Sequence, residues 1–201
     1  MTTQRAPDAW VRTIDPDDAR QDDAHRDLTE AYAWQARSLG AVTEYTQLGS
    51  LHPPLVRLRL ELYKTVEATL TGFTPVERAL VVYVASLLNQ TPHCASGALL
   101  ALDAAGAGPR LVARAAADPW DAATGSDRLD AIVRYTALLT ATPGEVTRAD
   151  VDRLRDTGLD DADVVALNNL VAYYAYTNRV ATGLGLHSQI PADHALRAVP
   201  R

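Results

Sequence analysis

The chain has 201 residues, with 25 Asp and Glu against 19 Lys and Arg, a net charge of −6, 47% hydrophobic residues and one cysteine. That length fits one domain or one domain with an appended element, and it suffices to bury a substantial core. The acidic balance, with an isoelectric point near 5.3, argues against nucleic acid or an anionic membrane surface as partner, because both need clustered positive charge. A single cysteine excludes an intramolecular disulfide framework and a multi-thiolate metal site.

Met1 to Ala24 carries Asp and Arg where a secretory signal needs a basic start and an apolar stretch, so no export signal is expected and the cytoplasm is the expected location. Residues 1–23, with Asp15, Asp17, Asp18, Asp22 and Asp23, read as a polar N-terminal arm that is ordered only if it docks. A helical domain is expected over residues 24–186, with a short irregular tail over 187–201. Abundant Ala, one lysine (Lys64) and few β-branched runs make the fold class all-α, with about seven to eight helices.

In chain order, the first helix is expected from about Ala24 to Leu39, followed by a loop around Gly40 to Ser50. His52-Pro53-Pro54 opens the next, to about Leu70. There Leu55, Leu58, Leu62 and Val66 recur at spacings of three and four, a stripe predicted to face the core. Thr74-Pro75 with Glu77 predicts a capping box. The helix that follows, to about Asn89, is apolar nearly all round and so belongs at the centre.

Thr91-Pro92 predicts a helix to about Ala105, closed by Gly106 and Gly108. The uncharged run from Ala79 to Leu102 is long enough to cross a bilayer, but Asn89 to His93 would fall at its middle, so two buried helices explain it better. Shorter helices are expected over Pro109 to Ala117 and Thr147 to Thr157. Longer ones are expected over Ser126 to Thr142, with Leu129, Ile132, Val133, Leu138 and Leu139 inward, and over Asp160 to Gly183. On the last, Asn168, Val171, Ala175 and Asn178 share one face. The two amides are read as interhelical hydrogen-bonding groups.

The segment Asn89-Gln90-Thr91-Pro92-His93-Cys94 carries the most chemistry. With Thr91 as N-cap, Cys94 is the third helical residue, where backbone N–H groups and the helix dipole lower a thiol pKa and a protonated His93 adds to the effect. The plainer reading of Cys94 is a buried packing thiol, and of His93 a hydrogen-bonded packing residue. His25, His52, His187 and His194 have no i, i+4 pairing that would make a metal site, so no metal and no cofactor is expected.

These residues resemble the carboxymuconolactone decarboxylase superfamily, in particular its alkylhydroperoxidase D-like, peroxidase-related branch. Arg78-Ala79-Leu80 matches the family's Arg-Glu-Leu with Ala for Glu, Ser86 and Asn89 match, and Cys94 matches the second cysteine of Cys-x-x-Cys. Downstream, Tyr135-Thr136-Ala137-Leu138-Leu139-Thr140 with Pro143, Asp150 to Arg155, Gly158-Leu159, and Asn178-Arg179-Val180-Ala181 with Leu184-Gly185 follow the peroxidase-related pattern in order and spacing.

The resemblance implies an alkylhydroperoxidase D-like helical bundle, a homo-oligomer and a small-molecule ligand. In the family's peroxidases the second cysteine attacks the peroxide, the first resolves it, and Glu and His relay protons. In this chain those three partners of Cys94 are Thr91, Ala79 and Ala98, so the two-cysteine mechanism is excluded. Thr91 is expected to cap the helix in place of the first cysteine, and Tyr83, one turn beyond Ala79 on the face of Ser86, either plugs the space left by the Ala replacements or offers a hydroxyl to a ligand. Arg179 is expected to anchor an acid within the protein or a substrate carboxylate.

Two functional readings follow. In one, Cys94 and His93 are catalytic in a one-cysteine, peroxidase-like oxidoreductase that needs an external thiol, with Tyr83, Ser86 and Thr91 binding the substrate. In the other, the chain is a pseudoenzyme or small-molecule-binding subunit, alone or with an intact paralogue, or a non-redox decarboxylase or lactone-processing enzyme.

Overall fold

The computed structural model describes residues 9–21 and 25–190. Every regular element among them is helical: α1 Pro16–Arg20, α2 Arg26–Leu39, α3 Glu44–Gln47, α4 Pro53–Thr69, α5 Pro75–Leu88, α6 Pro92–Ala104, α7 Pro109–Ala117, α8 Asp127–Ala141, α9 Arg148–Arg155 and α10 Asp161–Gly183. The eight long helices fall where the sequence places them; the short α1 and α3 add to them. Parts of the expected arm and tail, with Asp22, Asp23 and His194, lie outside the described residues.

The described residues divide into two compact units, one running to Thr65 and rejoined by Ala181–His187, the other comprising Val66–Val180 with residues 188–190. In the first, Ile14, Ala19, Leu28, Ala31, Tyr32 and Val56 form the apolar core. The described part of the N-terminal segment is docked. Its Ile14 amide donates to Ser50 Oγ at 2.8 Å and its Ile14 carbonyl accepts from the Tyr32 hydroxyl at 2.8 Å. Gly185, at φ +89°, leaves room for the Trp10 ring, which a Cβ there would strike at about 2.5 Å.

One expectation is corrected in α4. Val56, Arg59 and Val66 are its buried positions, while Leu55, Leu58 and Leu62 are 43–56% exposed and only Val66 of the predicted stripe points inward. Arg59 takes the inward place. Its Nη2 donates to the carbonyls of Tyr45 and Thr46 at 3.3 and 3.2 Å, and its guanidinium lies 4.7 Å from the Tyr45 ring centroid, so a buried cation closes the C-terminal end of α3.

In the second unit α5 is the centre, packing on α6, α7 and α8. Its buried positions run unbroken from Ala79 to Ser86, as its all-round apolar sequence requires. Thr74 and Glu77 form the predicted capping box, and Arg128 from α8 adds a second tie: its Nε donates to Glu77 Oε1 at 2.7 Å and its Nη2 to the Gly72 carbonyl at 2.7 Å. On α8 the buried set is Ala131, Ile132, Val133, Tyr135, Thr136 and Ala137, with Leu129, Leu138 and Leu139 half-buried. No helix among the described residues is long and apolar enough to cross a membrane.

Candidate functional site

The turn that joins α5 to α6 sets the site. α5 ends with the Gln90 amide bonded to the Leu87 carbonyl at 3.0 Å and the Thr91 amide bonded back to the Ser86 carbonyl at 2.9 Å. This paired closure requires a left-handed residue after the cap, and Gln90 supplies it at φ +52°. The chain therefore reverses within three residues, and Pro92 starts α6 beside the C-terminal end of α5.

Thr91 sits at the N-cap of α6 in extended backbone conformation, but its side chain makes no cap hydrogen bond. Its hydroxyl donates instead to the Asn89 carbonyl at 3.3 Å, so the expected replacement of the cysteine by a capping hydroxyl is not what this backbone does. Cys94 is the third residue of α6, as predicted, and is 7% exposed. The expected lowering of its thiol pKa is reversed: burial pushes it up to about 12, because desolvation penalises the thiolate. At neutral pH the group is a thiol.

His93 is buried, and its surroundings come from a segment far along the chain. The Gln189 side-chain amide donates to the His93 carbonyl at 3.1 Å and lies 3.4 Å from the ring Nε2. The Ser96 hydroxyl donates to the same carbonyl at 2.9 Å and accepts the Gln189 backbone N–H at 2.8 Å. Gly97 allows this approach: a Cβ there would stand 2.8 Å from Gln189 Nε2. Gln189, Ser96 and Gly97 are the residues that sequence reasoning did not find. No local pattern joins positions nearly a hundred residues apart.

Tyr83 and Ser86 lie on α5, both buried. Burial pushes the Tyr83 hydroxyl pKa up, so it stays protonated. The Ser86 hydroxyl donates to Asn178 Oδ1 at 3.2 Å, and Asn178 Nδ2 donates to the Ala85 carbonyl at 3.4 Å. On the same helix, Asn168 Nδ2 donates to the Tyr135 hydroxyl at 2.9 Å. Both amides thus tie α10 to another helix, as their position on an apolar stripe predicts. Arg179 does not anchor an acid; it is exposed and its Nη1 donates to the Ala175 carbonyl of its own helix at 2.6 Å.

Ala79 and Ala98, where the family resemblance places Glu and His, are both buried. Glu77 is no substitute for the lost acid. Burial opposes its charge, but the Thr74 N–H and the Arg128 guanidinium outweigh that and hold its carboxyl below the usual range, so it neither holds a proton at neutral pH nor is free to take one. Among the described residues no group of three or more His, Cys, Asp or Glu side chains is arranged to hold a metal ion. In the other unit, a groove of about 510 Å3 runs between α2 and α4, lined by Glu30, Trp34, Arg37, Arg57 and Glu61.

No protein-family description matches the sequence, and no curated protein is similar to it. Solved structures are similar in shape. An uncharacterized peroxidase-related protein from Ralstonia eutropha, described as an alkylhydroperoxidase AhpD core, superposes with a TM-score of 0.75 at 20% identity, over 91% of this chain and 93% of its own. A peroxidase-related protein from Silicibacter sp. gives 0.67 at 22% identity, over 92% and 93%. A cysteine-to-alanine variant of the debrominase Bmp8, in complex with 2,3,4-tribromopyrrole, gives 0.71 at 18% identity, over 96% of both chains. The chain therefore has the AhpD-like fold, the all-α architecture that its sequence motifs resemble.

Proposed function

We propose that this chain is a catalytically diverged AhpD-fold protein, a homo-oligomer that binds a small molecule and does not use its thiol as a peroxidase does. The observation that carries this reading is the state of Cys94: it is the only cysteine, it is 7% exposed, and burial holds it as a neutral thiol with a pKa of about 12. A peroxidatic cysteine must be a thiolate within reach of solvent. The proton-relay positions are Ala79 and Ala98, Ser86 is engaged with Asn178, and His93 is covered by Gln189. A small apolar ligand is supported by the debrominase neighbour, which holds a tribrominated pyrrole. The division into an arm, a helical domain over residues 24–186 and a tail, and a cytoplasmic location, belong to the same proposal.

The experiment is alkylation of the folded protein by iodoacetamide across pH, paired with hydroperoxide consumption in the presence of an external thiol for the wild type and Cys94→Ser. The expected result is slow alkylation that gains nothing near pH 7–8 and hydroperoxide loss equal in both proteins. Alkylation with an apparent pKa below the ordinary value of about 8.5, blocked by prior hydroperoxide, overturns it.

One observation favours the one-cysteine oxidoreductase: Cys94 is the third residue of α6, in the first turn, where the helix dipole favours an anion. In that reaction the thiolate takes the distal oxygen of a hydroperoxide, giving a sulfenic acid and an alcohol. One external thiol then forms a mixed disulfide with loss of water, and a second displaces Cys94 as thiol. His93 would tune the thiolate and Tyr83, Ser86 and Thr91 would line the substrate.

A further inference from the structure

Residues 188–190 form a strap on the first turns of α6, within the second unit. Ile190 is its anchor, 2% exposed, and the Ser188 hydroxyl closes a tight turn on it by accepting the Ile190 N–H at 3.2 Å. Gln189 between them is exposed, yet its amide turns inward. The amide Nε2 lies 3.1 Å from the His93 carbonyl and 3.4 Å from the His93 ring Nε2, while the Gln189 backbone N–H donates to Ser96 Oγ at 2.8 Å. An amide nitrogen only donates, so it suits a ring whose Nε2 is a bare acceptor: a neutral imidazole with its proton on Nδ1. We propose that this strap is a proton-sensitive latch, closed on α6 while His93 is neutral and released when the ring Nε2 takes a proton.

Gln189 cannot serve both groups of His93 once that proton arrives. In the present orientation the ring N–H and the amide N–H are two donors face to face. Turning the amide by half a rotation sets Oε1 on the ring proton, but also on the His93 carbonyl oxygen, and two acceptors then oppose each other. Gly97 lets the amide sit down on the helix, its Nε2 2.8 Å from the point a Cβ would occupy, and His93 is 6% exposed. Water therefore reaches the new N–H only when the strap lifts. Of the titratable groups on α5 and α6, Glu77 is tied to Arg128, Arg78 pairs with Glu67 at 3.8 Å, and Asp103 is exposed at the far end of α6. Tyr83 and Cys94 are held neutral by burial, and His187 stands just before the strap. The bond whose sign changes with the ring is that of Gln189. By linkage, a closed strap favours the neutral ring and a charged ring favours the open strap.

The test follows two signals of the full chain from neutral pH into acid: the ring-nitrogen resonances of His93, which report its tautomer and charge, and hydrogen exchange at the Gln189 amide, corrected for its intrinsic rate. In the wild type the ring should carry its proton on Nδ1 at neutral pH, and protection at Gln189 should fall by about 10-fold as the ring charges, the equivalent of one hydrogen bond. Gln189→Glu keeps the shape and turns the donor into an acceptor. Its protection should rise as the ring charges, at pH values above the ordinary Glu titration at about 4.3. Because Gln189 is exposed, the variant should fold, and helix content checks that it does. A wild-type ring with its proton on Nε2, a ring that stays neutral until the chain unfolds, protection that does not change as the ring charges, or a fall in Gln189→Glu equal to that of the wild type each overturns the latch. None of these readouts needs a ligand or the thiol, so the latch stands or falls separately from the reading of Cys94 above.

Discussion

Glu77 joins three elements of the second unit, and its removal has a size that follows from its contacts. Its Oε2 accepts the Thr74 N–H at 2.7 Å, its own amide bonds back to the Thr74 hydroxyl at 3.2 Å, and its Oε1 accepts Arg128 Nε at 2.7 Å with the carboxylate only 9% exposed. Glu77→Gln keeps the capping box, because Gln serves there too, but removes the charge from the Arg128 bond. A charge-assisted hydrogen bond is worth about 1.5–3 kcal/mol against about 1 for a neutral one, so Glu77→Gln should cost about 1–2 kcal/mol, or about 2–6 °C of midpoint at this chain length. Glu77→Ala strands both donors and should cost about 3 kcal/mol. The sign with pH follows from the lowered pKa of the folded carboxyl. The unfolded chain binds the proton first, so the contribution is intact above the unfolded pKa of about 4.3 and is lost as pH falls through the lower folded value. Urea unfolding of the wild type and Glu77→Gln from pH 7 downward should show the gap between them closing in acid. A gap under about 0.5 kcal/mol at pH 7, or one that is constant with pH, refutes the reasoning.

The same geometry gives further expectations. Gln90→Gly should stabilise by about 0.5–1 kcal/mol, since relief of a left-handed non-glycine residue exceeds the backbone entropy glycine adds; a loss in urea unfolding would show that the Gln90 side chain contributes. Gly97→Ala should stabilise less in the wild type than in a Gln189→Ala background, where the full helical preference of Ala, about 1 kcal/mol, is realised; equal gains would mean that Gln189 does not press on Gly97. Stability carried by the neutral Cys94 thiol is intact below about pH 8.5 and should fall by about 1.4 kcal/mol per pH unit above it, up to the folded value of about 12. Cys94→Ala should flatten that alkaline limb relative to the wild type, and parallel limbs in the two proteins would refute the buried thiol.

The helices were legible because their ends carry chemistry. Thr74-Pro75 with Glu77, Thr91-Pro92, Gly106 and Gly158 each mark a place where orphan N–H or C=O groups need a partner or a left-handed residue, and the structure starts or stops a helix at each. The turn after α5 carries no such mark, because Gln90 does there what a glycine usually does. The face of α4 was misread for a different reason. Hydrophobicity says which residues prefer burial and not which side of a helix finds a neighbour in its own chain. Arg59 is buried because two carbonyls and a tyrosine ring receive it, a reward that no count of apolar spacing contains.

At the site, local residues and their setting were legible to different degrees. Asn168 and Asn178 could be read as tethers because an amide on an apolar stripe has few fates. Cys94 could be placed at the third position of α6, but helix register speaks only to the field of nearby amides. Desolvation comes from everything packed around the thiol, and here it moves the pKa upward. Gln189 makes the same point from the other direction. Its amide reaches the His93 carbonyl across 96 positions of sequence, and the glycine that admits it, Gly97, looks in the sequence like a weak spot in a helix. A motif therefore fixes the candidates for chemistry, while the protonation state that decides between catalyst and packing residue is set by contacts that the motif does not contain.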